Sequence, residues 1–448
     1  MTIMPNIIPG EKGWTHLIDD ICDGRWISPL NGKQYPAAPY DKIVMEPSLK
    51  GKEAELVTSL GFEPPFAVVC DASTHKAMGE RVARALAEIG PVTEIILDNP
   101  HADMAGVRDL TEKLKDFKSA VAVGSGTIND LTKYATFQNN RSYTVFATAG
   151  SMNGYTSSTA SITLDSGLKV SLPAQVPAGF FVDLEVCAAA PTYLNAAGFG
   201  DCLCRPVAQI DWWMSHRLLG TVYYHDPYVI EIPDEIQLMQ RAKGIAEGDL
   251  EAVGYLFRVL TLCGLGISFT KISNHGSMGE HQISHYIDCF AGDRHPGSLH
   301  GQQVGVATLT MARIQSALLS SDSAPEMAPT KIDFDSMVAR MGTDVATQCL
   351  DELNKKAFDA QAVDAVNTKL EQIWPELRQQ CLDIAVPVET LQNLLAMSSA
   401  PTTAKELGLD VDFYREAVCH AHEMRNRFSF TDIADHTGQL QTIAARET

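Results

Sequence analysis

The sequence predicts a Rossmann-like α/β domain built on a parallel sheet, followed by an all-α domain. Three observations support this fold class. Short apolar runs alternate with helical segments from about residue 64 to 150, strand-like runs end near residue 188, and the 448 residues suffice for at least two hydrophobic cores. We therefore expect an N-terminal extension over residues 1–50, an α/β domain over 51–188 and a helical domain over 189–448.

Four apolar runs, each followed by a helical pattern, predict the strands of the sheet: "FAVVCD" (66–71), "TEIILD" (93–98), "SAVAVGSG" (119–126) and "SYTVFATAGS" (142–151). Strands that alternate with helices form parallel sheets covered on both faces, and such sheets bind ligands at the carboxyl ends of their strands. Residues 162–186 predict a strand pair or ribbon that returns to the sheet. The Pro- and Gly-rich residues 1–50 have too little apolar periodicity to form a core of their own.

Charge and cysteine usage narrow the class of protein. The 55 acidic and 35 basic side chains give a formal charge of −20, which repels nucleic acid and anionic membranes, so we expect neither as a partner. The ten cysteines include no CxxC pair and several lie in apolar runs, which is typical of buried thiols in a reducing compartment. No targeting segment or uninterrupted apolar run of about 18 residues is present, so a soluble, cytoplasmic protein is expected.

A glycine turn follows the third predicted strand. "AVAVGSGTINDLTKY" places Gly124 and Gly126 between a strand and a helix, where backbone N–H groups and the helix dipole attract phosphate. Asn129 stands where the G-x-G-x-x-G pattern has its third glycine, so the motif alone is weak evidence. A tight strand-to-helix turn without a ligand would have the same sequence.

Asp71 ends the first predicted strand and precedes "ASTHK". An acidic residue at this place in a dinucleotide-binding sheet often accepts hydrogen bonds from the adenosine ribose, and its charge would repel a 2′-phosphate. This interpretation favours NAD over NADP. A helix cap is the alternative role for the same side chain.

Histidines cluster in residues 276–301. His281 and His285 in "EHQISH" lie one helical turn apart, so both could reach one metal ion, and His300 opens the next helical segment. Gln282 stands where a HExxH hydrolase has its glutamate, which argues against a metallohydrolase. Asp201, in an apolar setting after a glycine turn, is the candidate carboxylate ligand. Each histidine taken singly is more often an ordinary hydrogen-bonded side chain than a metal ligand.

Five ordered blocks extend these motifs: "VGSGTINDLTKY", "TAGSMNGYTSSTASI", "AAGFGDCLCRPVAQIDW", "GEHQISHYID" and "LHGQQVGVATL". In order and spacing they resemble the sn-glycerol-1-phosphate dehydrogenases, from about residue 60 to 320. That family belongs to a superfamily with glycerol dehydrogenase, iron-type alcohol dehydrogenases and 3-dehydroquinate synthase. The resemblance implies a dehydroquinate synthase-like fold in which residues 51–188 bind NAD(H) and residues 189–448 bind metal and substrate.

The resemblance also implies roles for single residues. One divalent ion, zinc by expectation with nickel or iron as alternatives, would be held by Asp201, His281 and His300, with His285 as a proton relay. NAD(H), with NADP as an alternative, would be bound by Asp71, Gly124, Ser125, Gly126, Thr127, Asp130, Thr148 and Ser151. Asn153 and Ser157 would face the substrate. A homodimer or higher homo-oligomer is expected from the family.

Two departures from the family pattern concern the substrate. Asn153 in "SMNGY" replaces an aspartate, and "SNHGSMGEH" (273–281) lacks an arginine of the family and adds His275. The first hypothesis is a metal-dependent dehydrogenase that interconverts sn-glycerol 1-phosphate, or a close phosphorylated polyol, and dihydroxyacetone phosphate. The alternatives are a dehydrogenase of an unphosphorylated or modified polyol and a cyclase like 3-dehydroquinate synthase that uses NAD⁺ transiently.

Overall fold

The computed structural model describes residues 13–448 apart from the side chain of Phe269, so the start of the predicted extension lies outside the described residues. The chain forms two compact units. The first contains the chain up to Cys202 together with Asp226–Ile272, and the second contains Leu203–His225 together with Ser273–Thr448. This division differs from the predicted boundary near 188, because the long helix Leu250–Thr270 packs on Leu184–Ala188 within the first unit.

The first unit is built on a parallel sheet. Its strands, in the order β1-β8-β5-β4-β2-β3, are β1 (Lys42–Glu46), β8 (Gly179–Asp183), β5 (Ser142–Ala147), β4 (Ser119–Gly124), β2 (Phe66–Asp71) and β3 (Val92–Leu97). All five neighbouring pairs run parallel. A separate antiparallel ribbon joins β6 (Thr159–Thr163) to β7 (Lys169–Pro173). The α/β fold class, the four predicted strands and the returning ribbon are confirmed.

Strand β1 falls inside the predicted N-terminal extension. It pairs in parallel with β8, with Lys42 opposite Gly179 and Glu46 opposite Asp183. Its alternating burial shows that only one face is covered, as at the edge of a sheet. Part of the segment assigned to an extension therefore belongs to the central sheet.

The sheet core explains why its inner strands could be recognised in the sequence. Residues Phe66–Cys70 are at most 1% exposed, and Val121, Val123, Phe146 and Phe181 pack in the same cluster. A strand covered by helices on both faces has no polar face to alternate with. Burying each such side chain stabilises the fold by about 1.5–3 kcal/mol relative to leaving it exposed.

Helices account for most of the remaining chain, including most of the second unit. In chain order they are α1 (Ile18–Cys22), α2 (Glu53–Thr58), α3 (Ala72–Thr74), α4 (Glu80–Ala87), α5 (Met104–Lys113), α6 (Gly126–Phe137), α7 (Leu184–Ala188), α8 (Thr192–Leu203), α9 (Arg205–Leu219), α10 (Asp226–Gln240), α11 (Ala242–Glu247), α12 (Leu250–Thr270), α13 (Gly279–Phe290), α14 (His300–Leu319), α15 (Phe334–Met341), α16 (Thr343–Asn354), α17 (Ala360–Ile384), α18 (Val388–Met397), α19 (Val411–His420), α20 (Phe430–His436) and α21 (Leu440–Ala444). The predicted helical character of the C-terminal part is confirmed.

Helix α12 is the one helix of the described residues with both the length and the apolar composition of a membrane span. Its residues Leu250–Ser268 are long and apolar enough to cross a bilayer by composition, with a mean hydropathy of 1.5, yet 89% of the window is buried inside the protein. A helix that is apolar all round and surrounded by protein is the central helix of a core. We therefore assign α12 to the interior of the first unit.

Helix α13, which carries two of the candidate histidines, starts at a glycine for a steric reason. A Cβ on Gly279 would lie 2.5 Å from Cε of Met311 and 3.0 Å from Oδ2 of Asp211. At the same turn, the Glu280 carboxylate accepts a hydrogen bond from the Met278 N–H at 2.7 Å. These contacts fix where α13 begins and so set the direction in which His281 and His285 project.

Candidate active site

The glycine turn between β4 and α6 has the predicted strand-turn-helix geometry. Ser125 is extended, with φ −103° and ψ −154°, and its side chain does not cap the helix that Gly126 and the half-buried Thr127 begin. A Cβ on Gly124 would lie 2.5 Å from Cβ of Ile128, so this position requires glycine. The turn thus presents the first N–H groups of a twelve-residue helix at the carboxyl edge of the sheet.

Asp71 caps a helix, which is the alternative considered for it. Its Oδ1 accepts hydrogen bonds from the N–H groups of Ser73 and Thr74, each at 2.8 Å, and Thr74 Oγ1 accepts from the Asp71 N–H at 3.0 Å. Strand β2 ends at Asp71 and is the parallel neighbour of β4, so Asp71 and the glycine turn share one edge of the sheet.

Asp130 is buried and ties α6 to strand β6. Its Oδ2 accepts from the Ser161 N–H at 3.0 Å, and its Oδ1 accepts from the Asn129 amide at 3.0 Å. Burial raises the pKa of Asp130, while the nearby Lys133 and these hydrogen bonds oppose the shift. Its contacts within the chain are those of a structural carboxylate beside the turn.

Lys133 holds the loop that contains the candidate substrate residue Ser157. Its Nζ donates to the carbonyl oxygens of Gly154, Ser157 and Thr159 at 2.6, 2.9 and 3.1 Å. Burial lowers the pKa of Lys133 to about 8, and Asp130 opposes that shift. Three carbonyl acceptors use all three protons of an ammonium group. The Ser157 hydroxyl lies 2.7 Å from that of Thr159.

Asp201 and Asn153 meet within the first unit. The Asn153 N–H donates to Asp201 Oδ2 at 3.0 Å, and the Asn153 side-chain amide lies 3.8 Å from the sulfur of Cys263. A Cβ on Gly198 would lie 1.8 Å from the carbonyl oxygen of Gly150, so only glycine lets helix α8 approach this segment. One turn later, the same helix places the buried Asp201 beside Asn153.

Thr148 and Ser151 belong to the segment that leaves β5. The Thr148 N–H donates to the Gly124 carbonyl at 3.3 Å, so this segment lies directly against the glycine turn. The Tyr155 hydroxyl reinforces the contact, since it lies 2.8 Å from the Ala149 carbonyl and 3.2 Å from that of Gly124. Thr148 is buried and Ser151 is half-buried.

The second unit brings three histidines together from two packed helices. The ring centroids of His281 and His300 are 5.1 Å apart, those of His285 and His300 are 5.5 Å apart, and those of His281 and His285 are 6.3 Å apart. His281 and His285 are buried and His300 is half-buried. Such a concentration of imidazoles in one place is a donor set suited to a divalent transition metal.

Neighbouring side chains set the tautomer of two of these rings. Glu280 Oε1 lies 2.8 Å from His281 Nδ1, so that nitrogen carries the proton. His300 Nδ1 lies 2.9 Å from the hydroxyl of Ser284, whose single proton is donated to Gln303 Oε1 at 2.8 Å. Ser284 must therefore accept the proton of His300 Nδ1. In both rings Nε2 is left as the lone-pair nitrogen, as in metal-binding histidines.

The hydrogen-bond chain behind His300 continues to a carboxylate. Gln303 Nε2 donates to Asp288 Oδ1 at 3.0 Å, which orients the Gln303 amide with its oxygen toward Ser284. The imidazole Nε2 of His295 also lies 3.2 Å from Asp288 Oδ1. The sequence hypothesis did not name Ser284, Asp288 or Gln303. Ser284 and Asp288 lie one turn from the histidines on α13, but nothing in the sequence pairs them with Gln303.

A second set of possible ligands shares one of the histidines. Cys204, Glu280 and His281 have potential donor atoms within 4.8 Å of one another. The Cys204 sulfur, however, donates a hydrogen bond to the Gly276 carbonyl at 3.5 Å, as a thiol and not as a thiolate. A metal ligand would be the thiolate, so we assign Cys204 to packing.

Comparisons with known proteins agree with this fold. The family model described as iron-containing alcohol dehydrogenase matches residues 44–191. A glycerol dehydrogenase structure from Schizosaccharomyces pombe superposes with a TM-score of 0.60 at 18% identity and covers 92% of each chain. A 1,3-propanediol oxidoreductase structure superposes with a TM-score of 0.61 at 14% identity, over 92% of this chain and 98% of that one. The chain thus shares the fold of these two dehydrogenases, and its residues 44–191 match the iron-containing alcohol dehydrogenase model.

Sequence relatives narrow the class further. Glycerol-1-phosphate dehydrogenase [NAD(P)+] from Bacillus velezensis is 27% identical over 83% of this chain and 86% of its own length. The enzyme of the same name from Pyrococcus abyssi is 30% identical over 60% of this chain and 77% of its own length. The chain belongs to the glycerol-1-phosphate dehydrogenase family, which confirms the resemblance seen in the sequence.

Proposed function

We propose that the protein interconverts sn-glycerol 1-phosphate, or a close phosphorylated polyol, and dihydroxyacetone phosphate, with NAD(H) as the hydride carrier. The observation that carries this proposal is the pair of histidines whose Nδ1 protons are held by Glu280 and Ser284. That arrangement prepares their Nε2 atoms for a metal, as a metal-dependent alcohol dehydrogenase needs. The relatives' names supply the substrate class.

We infer that Asp201, His281 and His300 hold one divalent ion, zinc by expectation and nickel or iron as alternatives. An aspartate and two neutral imidazoles form the three-ligand set typical of catalytic sites, which keep an open position for substrate. A bound ion would polarise the substrate oxygen and favour the alkoxide over the alcohol near neutral pH. The tautomers of His281 and His300 fit this group, because their lone pairs lie on Nε2.

The cofactor proposal rests on one edge of the sheet. Gly124, Ser125, Gly126 and Thr127 would bind the diphosphate through the first N–H groups of α6. Thr148 and Ser151, which follow the neighbouring strand β5, would lie beside the nicotinamide. Asp71 would meet the adenosine ribose with the carboxylate that caps α3, which favours NAD over NADP, and Asp130 would support the turn from behind.

Proton and hydride take separate routes in this reaction. In the oxidation direction, bound NAD⁺ would accept the hydride that leaves the carbinol carbon, and the hydroxyl proton would leave for solvent. We propose that His285 carries that proton, since its ring lies within 5.5 Å of that of His300, centroid to centroid. The buried surroundings of His281 and His285 exclude water from the hydride path, and Asn153 and Ser157 would orient the substrate.

The relatives are named for a phosphorylated substrate, but Asn153 supports a second candidate. Its uncharged amide removes a negative charge that the family pattern has near the substrate hydroxyls, so an unphosphorylated or modified polyol is the alternative. We further propose a cytoplasmic enzyme that forms a homodimer or higher homo-oligomer and has no nucleic-acid or membrane partner.

The test is NADH oxidation at 340 nm with dihydroxyacetone phosphate, on chelator-stripped protein reloaded separately with Zn²⁺, Ni²⁺ or Fe²⁺. Dihydroxyacetone and NADPH serve as controls. Metal-dependent oxidation that requires the phosphate group is expected. Preference for dihydroxyacetone would favour the unphosphorylated alternative, and turnover of a substrate without net change at 340 nm would favour a cyclase.

A further inference from the structure

Arg427 holds the segment that leads into the histidine helix α13. Its Nη1 donates to the carbonyl and to the hydroxyl of Ser277, the latter at 2.9 Å, and its Nη2 donates to the Ser273 hydroxyl at 2.8 Å. Ser277 is extended and lies two residues before α13 begins at Gly279, four residues before His281. The guanidinium is therefore anchored close to the proposed metal ligands, within a single unit of the fold.

Arg427 forms no ion pair with a carboxylate among residues 13–448. Burial and, less strongly, the neighbouring cation Arg425 lower the pKa of Arg427 to about 9, and the Glu280 carboxylate opposes the shift from beyond ion-pair distance. By contrast, the buried Arg258 is clamped by both oxygens of Asp234 at 2.8 and 2.9 Å. Buried cations are ordinarily paired, so an unpaired one beside an active site points to an anion that arrives with a ligand.

Arg425 adds to the same positive field. It lies two residues before Arg427, and its charge helps to lower the pKa of the Arg427 guanidinium. Arg425 forms no hydrogen bond or ion pair with any residue in the described part of the chain. The two half-buried guanidinium groups thus have no carboxylate in ion-pair contact, and Glu352 acts on Arg425 and Glu280 on Arg427 only from farther away.

The position of Arg427 is fixed before any ligand binds. Its carbonyl oxygen accepts hydrogen bonds from Gln282 Nε2 at 3.0 Å and from Lys356 Nζ at 3.2 Å, and Gln282 adjoins His281. A guanidinium has five N–H donors, and the two serines receive three hydrogen bonds from Arg427. The remaining donors suit two oxygens of a phosphoryl group.

Building on the proposed function, we propose that Arg427, held by Ser273 and Ser277, binds the phosphoryl group of the substrate. The reacting carbon of a three-carbon phosphate lies only a few bonds from its phosphorus, which suits an anion anchor on the segment that leads into α13 and its metal ligand His281. Arg427 would then be the residue that distinguishes a phosphorylated polyol from a free one.

The experiment compares Arg427→Gln and Arg427→Lys with Arg84→Gln, which removes an equal charge from an exposed helix. Two quantities are measured on metal-loaded protein with NADH: the affinity for inorganic phosphate by calorimetry, and kcat/KM for dihydroxyacetone phosphate and for dihydroxyacetone. Arg427→Gln should weaken phosphate binding and lower kcat/KM for the phosphorylated substrate by about 10- to 100-fold, as expected for hydrogen bonds to a charged group. Dihydroxyacetone reduction and the Arg84→Gln variant should be unchanged.

Arg427→Lys keeps the positive charge but lacks the planar guanidinium that binds two oxygens at once, so its loss of phosphate affinity and of kcat/KM should be intermediate. It replaces Arg427→Gln as the test variant if Arg427→Gln fails to fold. Equal losses for both substrates would show that Arg427 only supports the fold and would overturn the inference. Wild-type protein that binds no inorganic phosphate, or variants that bind it as wild type does, would overturn it as well. Failure of the wild type to reduce dihydroxyacetone phosphate with any metal would refute the proposed function, and the phosphate titration would still decide the role of Arg427.

Discussion

Replacing Ser284 with alanine tests whether the tautomer of His300 is set by its neighbours. The hydroxyl accepts the His300 Nδ1 proton at 2.9 Å and donates to Gln303 Oε1 at 2.8 Å, and alanine removes both bonds. Each hydrogen bond contributes about 1 kcal/mol net, so their loss should weaken metal binding by at most about 2 kcal/mol, or about 30-fold in the dissociation constant. This agrees with the 10- to 100-fold losses of metal affinity typical of such outer-shell changes.

The assay is competition between the protein and a chromophoric chelator for Zn²⁺, with the Co²⁺ spectrum as a second readout of coordination. Ser398→Ala is the matched control, because Ser398 is equally buried and its hydroxyl donates only to the Leu395 carbonyl at 2.8 Å. Both variants should lose thermal stability, Ser284→Ala the more because it loses two hydrogen bonds, and only Ser284→Ala should bind zinc more weakly. Zinc affinity in Ser284→Ala that matches the control would refute the link between the hydrogen-bond chain and the metal.

Three further predictions concern the framework of the site. Gly198→Ala should destabilise the protein by about 3 kcal/mol or more in urea unfolding, because the new Cβ would lie 1.8 Å from a backbone oxygen. Movement of a side chain cannot relieve that clash. Lys133→Met removes the ammonium group that donates to three carbonyl oxygens, and it should lower the free energy of unfolding by about 2–4 kcal/mol. Amide hydrogen exchange in residues 154–159 should become faster, and unchanged exchange there would contradict the role of Lys133 in holding this loop. Burial, followed by the charge of Glu280, raises the pKa of Asp211 to about 8. Folded protein thus keeps a proton that the unfolded chain releases above about pH 4, and stability falls as pH rises from there to about 8. Asp211→Asn should flatten this dependence of the melting temperature, and parallel curves would count against the assignment.

The strands of the inner sheet were predictable because of their burial. The apolar runs around Phe66–Asp71 and Ser119–Gly124 match the observed strands within two residues, since a strand covered on both faces contains little but apolar side chains. Strand β1 escaped prediction for the opposite reason. It is only five residues long, its burial alternates between buried and partly buried residues, and its partner β8 lies more than 130 residues away in the sequence.

In the candidate site, too, some features could be predicted from the sequence and others could not. The spacing of His281 and His285 predicts one helix face from local geometry alone, and the structure places both rings beside His300. The partners that set the tautomers could not be predicted, because Gln303 meets Ser284 only through the packing of α13 on α14. Arg427 lies 150 residues beyond Ser277 in the chain, so no local pattern joins them.

Two buried carboxyl groups, those of Asp211 and Glu280, lie at the start of the helix α13 that carries His281 and His285. Asp211 and Glu280 are both fully buried, and two buried carboxylates close together do not both ionise readily. The raised pKa of Asp211 keeps it protonated near neutral pH. Glu280, one cause of that shift, also accepts the hydrogen bond from His281 Nδ1, which makes Nε2 a better donor to a metal. The stability that the protein loses above about pH 4 through Asp211 therefore comes in part from the residue that orients His281.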